Sequence, residues 1–198
     1  FRTGGDIHSE TARRVFGSDA PEWRRRAKAV NFGIVYGISD FSLAGDIGVS
    51  RAEARRFIDG YFSVYSGVKR YLDGCVEKAK ADGYVTTMFG RRRYLPELQA
   101  ANFNQRSFGE RAAMNTPIQG TAADIIKIAM VRVAKRLAEE GFRSKLILQV
   151  HDELIVEAPE AEAGTAAKIL EYELAHAVEL SVPLTAEVHA GKSWYDAK

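Results

Sequence analysis

No part of the sequence constrains the fold more than residues 24–37, RRRAKAVNFGIVYG. Each residue of an α-helix advances by about 100°, so residues four apart differ in direction by only about 40°. In a helix over residues 22–37, one narrow arc is apolar, and it consists of Trp23, Ala27, Val30 and Ile34. An apolar arc of this kind packs against a core. The segment therefore predicts a helix that lies on a globular core.

The opposite side of the same predicted helix carries a second set of residues, here termed the cation–aromatic stripe: Arg24, Lys28, Phe32 and Tyr36. Aromatic residues at helical spacing usually belong to a core, but in this helix the apolar arc already fills the core-facing side. Cations bind phosphates, and aromatic rings stack on bases. We interpret the stripe as a phosphate-binding and base-stacking surface.

Two glycines fall inside and at the end of this helix, Gly33 and Gly37. A glycine in a helix interior costs about 1 kcal/mol of stability relative to alanine. A helix that carries this cost is expected either to be approached closely by a ligand or to need freedom to bend.

The distribution of charge is more informative than its total. The net charge of +2 and the isoelectric point of about 8.6 do not by themselves indicate a nucleic-acid partner. Residues 1–110, however, carry 18 Lys and Arg against 13 Asp and Glu, whereas residues 111–198 carry 10 against 13. The basic part suits a polyanion, and the acidic part suits bound cations.

Composition also indicates the cellular location of the chain and whether a membrane is an expected partner. Cys75 is the single cysteine, so an intramolecular disulfide is excluded and a cytoplasmic location is favoured. No signal peptide and no apolar run long enough to span a bilayer is present, so no membrane partner is expected. Patterned sequence begins directly at Phe1, and we expect the chain to be part of a longer protein.

Helical periodicity dominates the first half of the sequence, and helix combined with antiparallel strands dominates the second half, which predicts the α+β class. The predicted helices cover residues 9–16, 22–37, 41–46, 51–64, 67–81, 104–140 and 160–180. The predicted strands cover residues 84–89, 92–95, 146–150, 154–156 and 184–189. Ser50 followed by Glu53 predicts a capping box at the fourth helix.

A charged triplet, His151-Asp152-Glu153, separates two apolar runs that read as the strands of a hairpin. Surface turns often carry Asp and Glu, so the triplet by itself fits a plain turn equally well. The flanking runs are expected to be deeply buried, and charge there would be expensive to desolvate. A carboxylate at the end of a buried hairpin suits a divalent metal with oxygen ligands, and Mg²⁺ in a two-metal arrangement is the expected ion.

The third informative segment is ERAAMNTPIQGTAADII, residues 110–126. Arg111, Asn115 and Gln119 recur at intervals of four and share one helix face. Amide side chains donate and accept hydrogen bonds, which suits the acceptors that line a duplex minor groove. A solvated polar face explains the same pattern equally well.

Taken together, these segments resemble the family A DNA polymerases, closely those of the bacterial DNA polymerase I type. The resemblance covers essentially the whole chain and several ordered segments: DIHSETA, RRRAKAVNFGIVYG, GYVTTMFGRRRYLPE, ERAAMNTPIQGTAADII and QVHDE. It implies an incomplete right-hand polymerase fold, with a fingers subdomain over residues 1–103 and the C-terminal part of a palm subdomain over residues 104–198. It implies transfer of a deoxynucleotide from a dNTP to a primer 3′-hydroxyl.

The resemblance also implies a function for each site residue. Arg24, Lys28 and His8 would bind the triphosphate, and Lys28 would also protonate the leaving pyrophosphate. Phe32 would pack on the incoming sugar and base, where phenylalanine goes with discrimination against dideoxynucleotides in this family. Tyr36 would occupy or border the template-base position.

The remaining implied functions concern the DNA and the metals. The residues implied to contact primer–template DNA are Arg111, Asn115, Gln119 and His151. Asp152 would bind catalytic Mg²⁺, and Glu153 would support that site. The family needs a second metal-bridging aspartate on a strand upstream of DIHSETA, and we expect that residue to lie outside this sequence.

Two other functions stay open on the sequence. One is a non-catalytic module that binds DNA or nucleotides. The other is a metal-dependent phosphohydrolase built around His151-Asp152. Because one of the two expected metal carboxylates is missing, the chain alone is expected to be inactive as a polymerase. Its oligomeric state is not indicated by any of these patterns.

Overall fold

The chain forms seven α-helices and two small antiparallel sheets in the computed structural model, which describes residues 4–197. The helices are α1 (Ile7–Phe16), α2 (Pro21–Val35), α3 (Asp40–Ile47), α4 (Arg51–Val64), α5 (Ser66–Asp82), α6 (Phe103–Glu139) and α7 (Glu160–Ala175). The strands are β1 (Tyr84–Thr86), β2 (Arg92–Tyr94), β3 (Lys145–Val150) and β4 (Glu153–Glu157). A short 3-10 helix spans Pro96–Gln99. The α+β class predicted from the sequence is confirmed.

The described residues divide into two compact units, residues 4–120 and residues 121–197, with the boundary inside α6. The first unit contains α1–α5, the β1–β2 hairpin and the beginning of α6. Its larger core is built from residues of α2–α5: Val30, Ile34, Leu43, Ala54, Tyr61 and Leu72. A smaller core lies beside the hairpin and consists of Ala79, Val85, Leu95, Leu98, Ala112 and Ala113.

Local signals in the sequence explain where several helices begin and end. The Ser50 hydroxyl accepts a hydrogen bond from the Glu53 backbone N–H at 3.3 Å, and the Glu53 carboxylate accepts one from the Ser50 N–H at 3.1 Å. This is the capping box predicted from the sequence, and it starts α4. Gly83, with φ of 77°, ends α5 in the left-handed conformation that glycine tolerates best.

The second unit packs the rest of α6 and α7 against the β3–β4 hairpin. One face of α6 contributes Ile126, Ala129, Val133 and Leu137 to the core of the second unit. Residues of α7 and β4 complete this core. After α6, the Phe142 N–H donates to the Leu137 carbonyl and the Gly141 N–H to the Ala138 carbonyl. These bonds satisfy carbonyls that a helix end leaves without partners.

Two predictions for the last forty residues are wrong. α7 ends at Ala175 rather than at 180, since the His176 carbonyl accepts a hydrogen bond from the Arg132 guanidinium at 2.6 Å and Ala177 turns into the core. Residues 184–189 form no strand. Their alternating burial agrees with the sequence pattern, but a strand also needs a hydrogen-bonded neighbour, and in the described part of the chain β3 pairs only with β4.

Within residues 4–197, no helix combines the length and the apolar character needed to cross a membrane.

Candidate functional site

The two faces predicted for residues 24–37 are present on α2. Ala27 and Val30 are fully buried, and Ile34 is nearly so. On the other side, Arg24 and Lys28 are exposed, while Phe32 and Tyr36 retain 49% and 47% of their exposure. Two large aromatic rings that stay half-exposed beside two cations are not needed for packing. The cation–aromatic stripe is therefore a solvent-facing surface of the first unit.

His8, near the start of α1, joins this surface. Its ring centroid lies 5.7 Å from that of Phe32, and the Lys28 ammonium lies 5.9 Å from the centroid of the Phe32 ring. A cation near an aromatic face is attracted by the ring's negative charge density. The fold thus brings together, from two helices, three residues that the sequence resemblance assigned to one nucleotide site.

An acidic residue that the sequence reasoning missed lies at the same place. Asp6 is the N-cap of α1, where its carboxylate accepts a hydrogen bond from the backbone N–H of His8 at 3.0 Å. The same carboxylate accepts one from the Arg24 guanidinium at 2.6 Å and one from the Ser9 hydroxyl at 2.7 Å. The Arg24 guanidinium, followed by the Ser9 hydroxyl, holds the pKa of Asp6 far below its usual range. A phosphate that binds Arg24 must therefore compete with an internal anion.

The electrostatic surroundings of His8 keep its ring neutral. Burial lowers the pKa of His8, and the positive charges of Arg24 and Lys28 lower it further, while the Asp6 carboxylate opposes the shift. A neutral imidazole has one N–H donor and one acceptor nitrogen. At neutral pH, the His8 ring therefore offers one donor and one acceptor.

Gly33 of α2 and Gly37, which follows the end of α2, both have close neighbours that leave no room for a side chain. A Cβ on Gly33 would come within 2.7 Å of the Ile38 side chain, and one on Gly37 would come within 2.5 Å of the Met114 Cε atom. Gly37 also has φ of 68°, and its N–H donates to the Ile34 carbonyl at 3.0 Å. Side chains of the protein occupy these two close approaches, and Gly37 lies just beyond the end of α2.

The contact at Gly37 places the end of α2 against the part of α6 that carries Arg111. Arg111 and Gln119 are exposed, and the Arg111 guanidinium donates to the Ser107 hydroxyl at 2.7 Å. Asn115 is half-buried, and its Oδ1 is enclosed without a hydrogen-bond partner among the described residues. Buried amide oxygens are normally satisfied, so Asn115 Oδ1 is an exception among the described residues.

In the second unit, the charged triplet lies at the tip of the β3–β4 hairpin. His151 and Asp152 form the loop between the paired residues Val150 and Glu153. His151 has φ of 53°, and among residues 4–197 it is the one non-glycine residue with positive φ. Strained backbone of this kind clusters at functional sites. The tip presents Asp152 to solvent, and the Glu153 carboxylate accepts a hydrogen bond from the Trp194 indole at 3.3 Å.

The expected deep burial of the flanking strands is wrong for β3. Ile147 and Leu148 retain 54% and 44% of their exposure, whereas Leu154 of β4 is buried. The pairing of β3 with β4 shifts register between Leu146 and Leu148, so Ile147 has no paired residue in β4, and the regular alternation of buried and exposed side chains is lost there. No group of three or more His, Cys, Asp or Glu side chains suited to a metal ion occurs within residues 4–197.

The sequence and the fold were compared with those of known proteins, and both resemble DNA polymerases. The sequence profile of DNA polymerase family A matches residues 1–196. The chain belongs to this family. It is 53% identical over 202 residues to DNA polymerase I of Geobacillus stearothermophilus and 50% identical over 203 residues to that of Streptococcus pneumoniae serotype 4. Each alignment covers 100% of the chain but only 23% of the relative, so the chain spans about a quarter of their length.

A solved structure has the same fold. The POL domain of Pol1 from M. smegmatis, in complex with DNA primer-template and dNTP, superposes with a TM-score of 0.91 at 45% identity. The match covers 99% of this chain and 35% of the other. The resemblance of the sequence to family A polymerases of the bacterial DNA polymerase I type is confirmed.

Sequence reasoning missed three residues of the first unit that lie beside or behind the stripe: Asp6, Asn31 and Thr11. Asp6 could have been recognised as an N-cap from its position before a helical pattern. Asn31 lies at the border between the two faces of α2, and Thr11 is completely buried in α1. A polar residue at such a border and a threonine among apolar positions are weak signals, and neither shows which partner the side chain meets.

Proposed function

We propose that this chain supplies the nucleotide-binding surface, and part of the metal site, for template-directed DNA synthesis. The reaction joins a primer 3′-hydroxyl to the α-phosphate of a dNTP and releases pyrophosphate. The observation that carries the proposal is the cation–aromatic stripe of α2, which stays exposed opposite a fully packed face and gathers His8 beside Phe32. The M. smegmatis POL domain, which has the same fold and was solved in complex with DNA primer-template and dNTP, supports the same ligands.

The cations of the stripe bind the triphosphate in this proposal. Arg24 and Lys28 lie one turn apart on the exposed face of α2, which matches a ligand that carries several negative charges. His8 adds one hydrogen bond from α1. Charge stabilisation by positioned groups is usually the largest contribution to catalysis. By the resemblance to family A polymerases, Lys28 also protonates the leaving pyrophosphate in this proposal.

The rings and the polar face of α6 bind the bases. Phe32 packs on the incoming sugar and base, and Tyr36 borders the template base at the end of α2. Gln119 and Arg111 contact the primer–template from α6, and Asn115 adds the amide whose Oδ1 has no partner among the described residues. His151 contacts the DNA beside the primer end. Half-exposed rings stack on bases of any sequence, as a template-directed enzyme requires.

Asp152 is the proposed Mg²⁺ ligand, with Glu153 in support. An exposed carboxylate at a hairpin tip fits a hard cation with oxygen ligands. Bound Mg²⁺ would lower the pKa of the attacking hydroxyl and neutralise developing negative charge. Because residues 4–197 contain no cluster of three metal-ligating side chains, Asp152 and Glu153 hold only part of a two-metal site.

The remaining assignments are proposed from the family membership of the chain. Residues 1–103 form the fingers subdomain, and residues 104–198 form the C-terminal part of the palm. The protein acts on DNA in the cytoplasm.

The stripe is tested by dNTP kinetics in primer extension with the full-length gene product. Arg24→Ala and Lys28→Ala each remove a charged hydrogen bond worth about 1.5–3 kcal/mol, which lowers kcat/KM for the dNTP by about 10- to 150-fold. Arg26→Gln is the matched control, because it removes one charge from the same helix, where Arg26 lies over the Trp23 ring instead of on the stripe. Equal effects of all three variants would refute the assignment.

A second measurement separates the alternative functions. The 198-residue chain alone is expected to give no templated incorporation, since it supplies only part of the metal site. Robust primer extension by the chain alone would contradict the partial metal site. Nucleotide hydrolysis without a template would favour the phosphohydrolase instead.

A further inference from the structure

Behind His8, a row of hydrogen-bonding side chains leads from the interior of the first unit to the stripe. The Asn31 amide nitrogen lies 2.9 Å from His8 Nδ1, and the Thr11 hydroxyl donates to Asn31 Oδ1 at 3.1 Å. The Tyr65 hydroxyl lies 3.4 Å from the Thr11 hydroxyl. Thr11 has no solvent exposure, so its orientation is set by these partners.

The hydrogen bonds of this row run in one direction. A phenol is more acidic than an aliphatic alcohol, so Tyr65 is the better donor and Thr11 the better acceptor of that pair. The Thr11 proton is then directed at Asn31 Oδ1. That contact turns the amide NH₂ group of Asn31 towards His8, and an N–H group requires an acceptor opposite it. His8 Nδ1 is therefore the acceptor nitrogen.

An accepting Nδ1 leaves the single proton of a neutral imidazole on Nε2. The charged groups that face His8 are the Asp6 carboxylate and the cations of Arg24 and Lys28. The net effect of burial and of these charges is a lowered pKa, which agrees with a neutral ring. An Nε2–H donor favours an anionic phosphate, whereas a lone pair at Nε2 would repel it.

We propose that Asn31 and Thr11 are positioning residues that hold His8 in the Nε2–H tautomer and so present a hydrogen-bond donor to the triphosphate of the incoming nucleotide. The tautomer itself depends only on the hydrogen bonds within the first unit. Its consequence for nucleotide binding rests on the proposed function of the stripe.

The tautomer is tested by NMR on the full-length gene product with ¹⁵N-histidine introduced segmentally into residues 1–198, which contain four histidines. Long-range ¹H–¹⁵N correlations distinguish the two neutral tautomers, and a His8→Gln variant assigns the signal. We expect the Nε2–H form in the unsubstituted protein. An Nδ1–H signal would overturn the proposal, whatever the variants show.

Two variants test whether the row sets the tautomer. Asn31→Asp replaces the amide donor with a carboxylate of similar shape, which accepts a hydrogen bond from a protonated Nδ1, so His8 is expected to shift to the Nδ1–H form and its pKa to rise. Thr11→Val removes the buried hydroxyl at nearly constant volume and is expected to give a mixture of tautomers. Thr11→Ser keeps the hydroxyl and is expected to keep the Nε2–H form. An unchanged tautomer in both Asn31→Asp and Thr11→Val would refute the positioning.

Kinetics test the consequence for the nucleotide. A mixture of tautomers lowers the fraction of His8 that can donate, so Thr11→Val is expected to raise KM for the dNTP about twofold for an equal mixture, and at most about fivefold if the donor is lost completely. The value of kcat is expected to change little, and Thr11→Ser is expected to restore KM. The effect must vanish in a His8→Ala background if Thr11 acts through His8. An equal rise in KM in that background would overturn the proposal.

A different set of results is expected if the proposed function of the stripe is wrong. If His8→Ala leaves KM for the dNTP unchanged, His8 does not contact the triphosphate, and the presentation of a donor to the nucleotide is refuted. The NMR result would then decide the tautomer separately.

Discussion

Replacing Gly37 with alanine tests how tightly the end of α2 packs on α6. Gly37 has φ of 68°, a left-handed conformation that costs an alanine about 1–2 kcal/mol. The added Cβ would also lie 2.5 Å from the Met114 Cε atom and 3.1 Å from the Arg111 Cγ atom. Overpacking of this kind costs about 1–3 kcal/mol, since the flexible end of Met114 can move part of the way.

Gly48 is the matched control for this substitution. It ends α3 with almost the same φ, 67°, but a Cβ there would meet no atom within 4 Å. Gly48→Ala therefore carries the backbone cost alone, reduced by about 0.4–1 kcal/mol because alanine also restricts the unfolded chain. We expect a net loss of about 0–1.5 kcal/mol for Gly48→Ala and of about 1–4.5 kcal/mol for Gly37→Ala.

Urea unfolding followed by circular dichroism measures the free energy of unfolding of both variants. Amide hydrogen exchange over residues 108–116 shows whether α6 loses stability locally. The difference between the two variants isolates the contact with α6, because the backbone cost is common to both. Equal destabilisation, or unchanged exchange in α6, would refute close packing at Gly37.

Three further predictions concern the stripe and the second unit. Phe32→Tyr in the full-length protein is expected to raise the use of dideoxynucleotides, and an unchanged chain-termination ratio would argue against the assignment of Phe32 to the incoming sugar. Asp6→Asn keeps an N-cap side chain but removes the anion that competes for Arg24, so KM for the dNTP is expected to fall in steady-state assays; a rise would show that Asp6 helps to position Arg24. The Ser144 hydroxyl and its backbone N–H hold the pKa of Glu162 below its ordinary value, so the stability from this carboxylate is fully present above the unfolded pKa of about 4.3 and is lost as pH falls through the lower folded value. Melting temperatures between pH 5 and pH 3 are expected to fall less steeply for Glu162→Gln than for the unsubstituted chain, and parallel curves would contradict the linkage.

Local patterns allowed a large part of the fold to be predicted. Helix starts such as Ser50 with Glu53, and helix ends such as Gly83, depend on groups within a few residues of one another. The two faces of α2 follow from the geometry of one helix. The prediction of a strand over residues 184–189 was wrong, because a strand needs a hydrogen-bonded partner strand. The alternation of apolar and polar residues within one segment does not specify that partner.

Part of the candidate site could also be predicted from the sequence, and part of it could not. The cation–aromatic stripe could be predicted from the sequence alone, since spacing along one helix decides which side chains share a face, and the resemblance to family A polymerases indicated His8. The pairing of Asp6 with Arg24 and the place of the Asn31 amide behind His8 became visible only in the folded chain. These contacts join residues 18 and 23 positions apart in sequence. They exist because α1 packs beside α2, and no local pattern encodes which side chains meet across two packed helices.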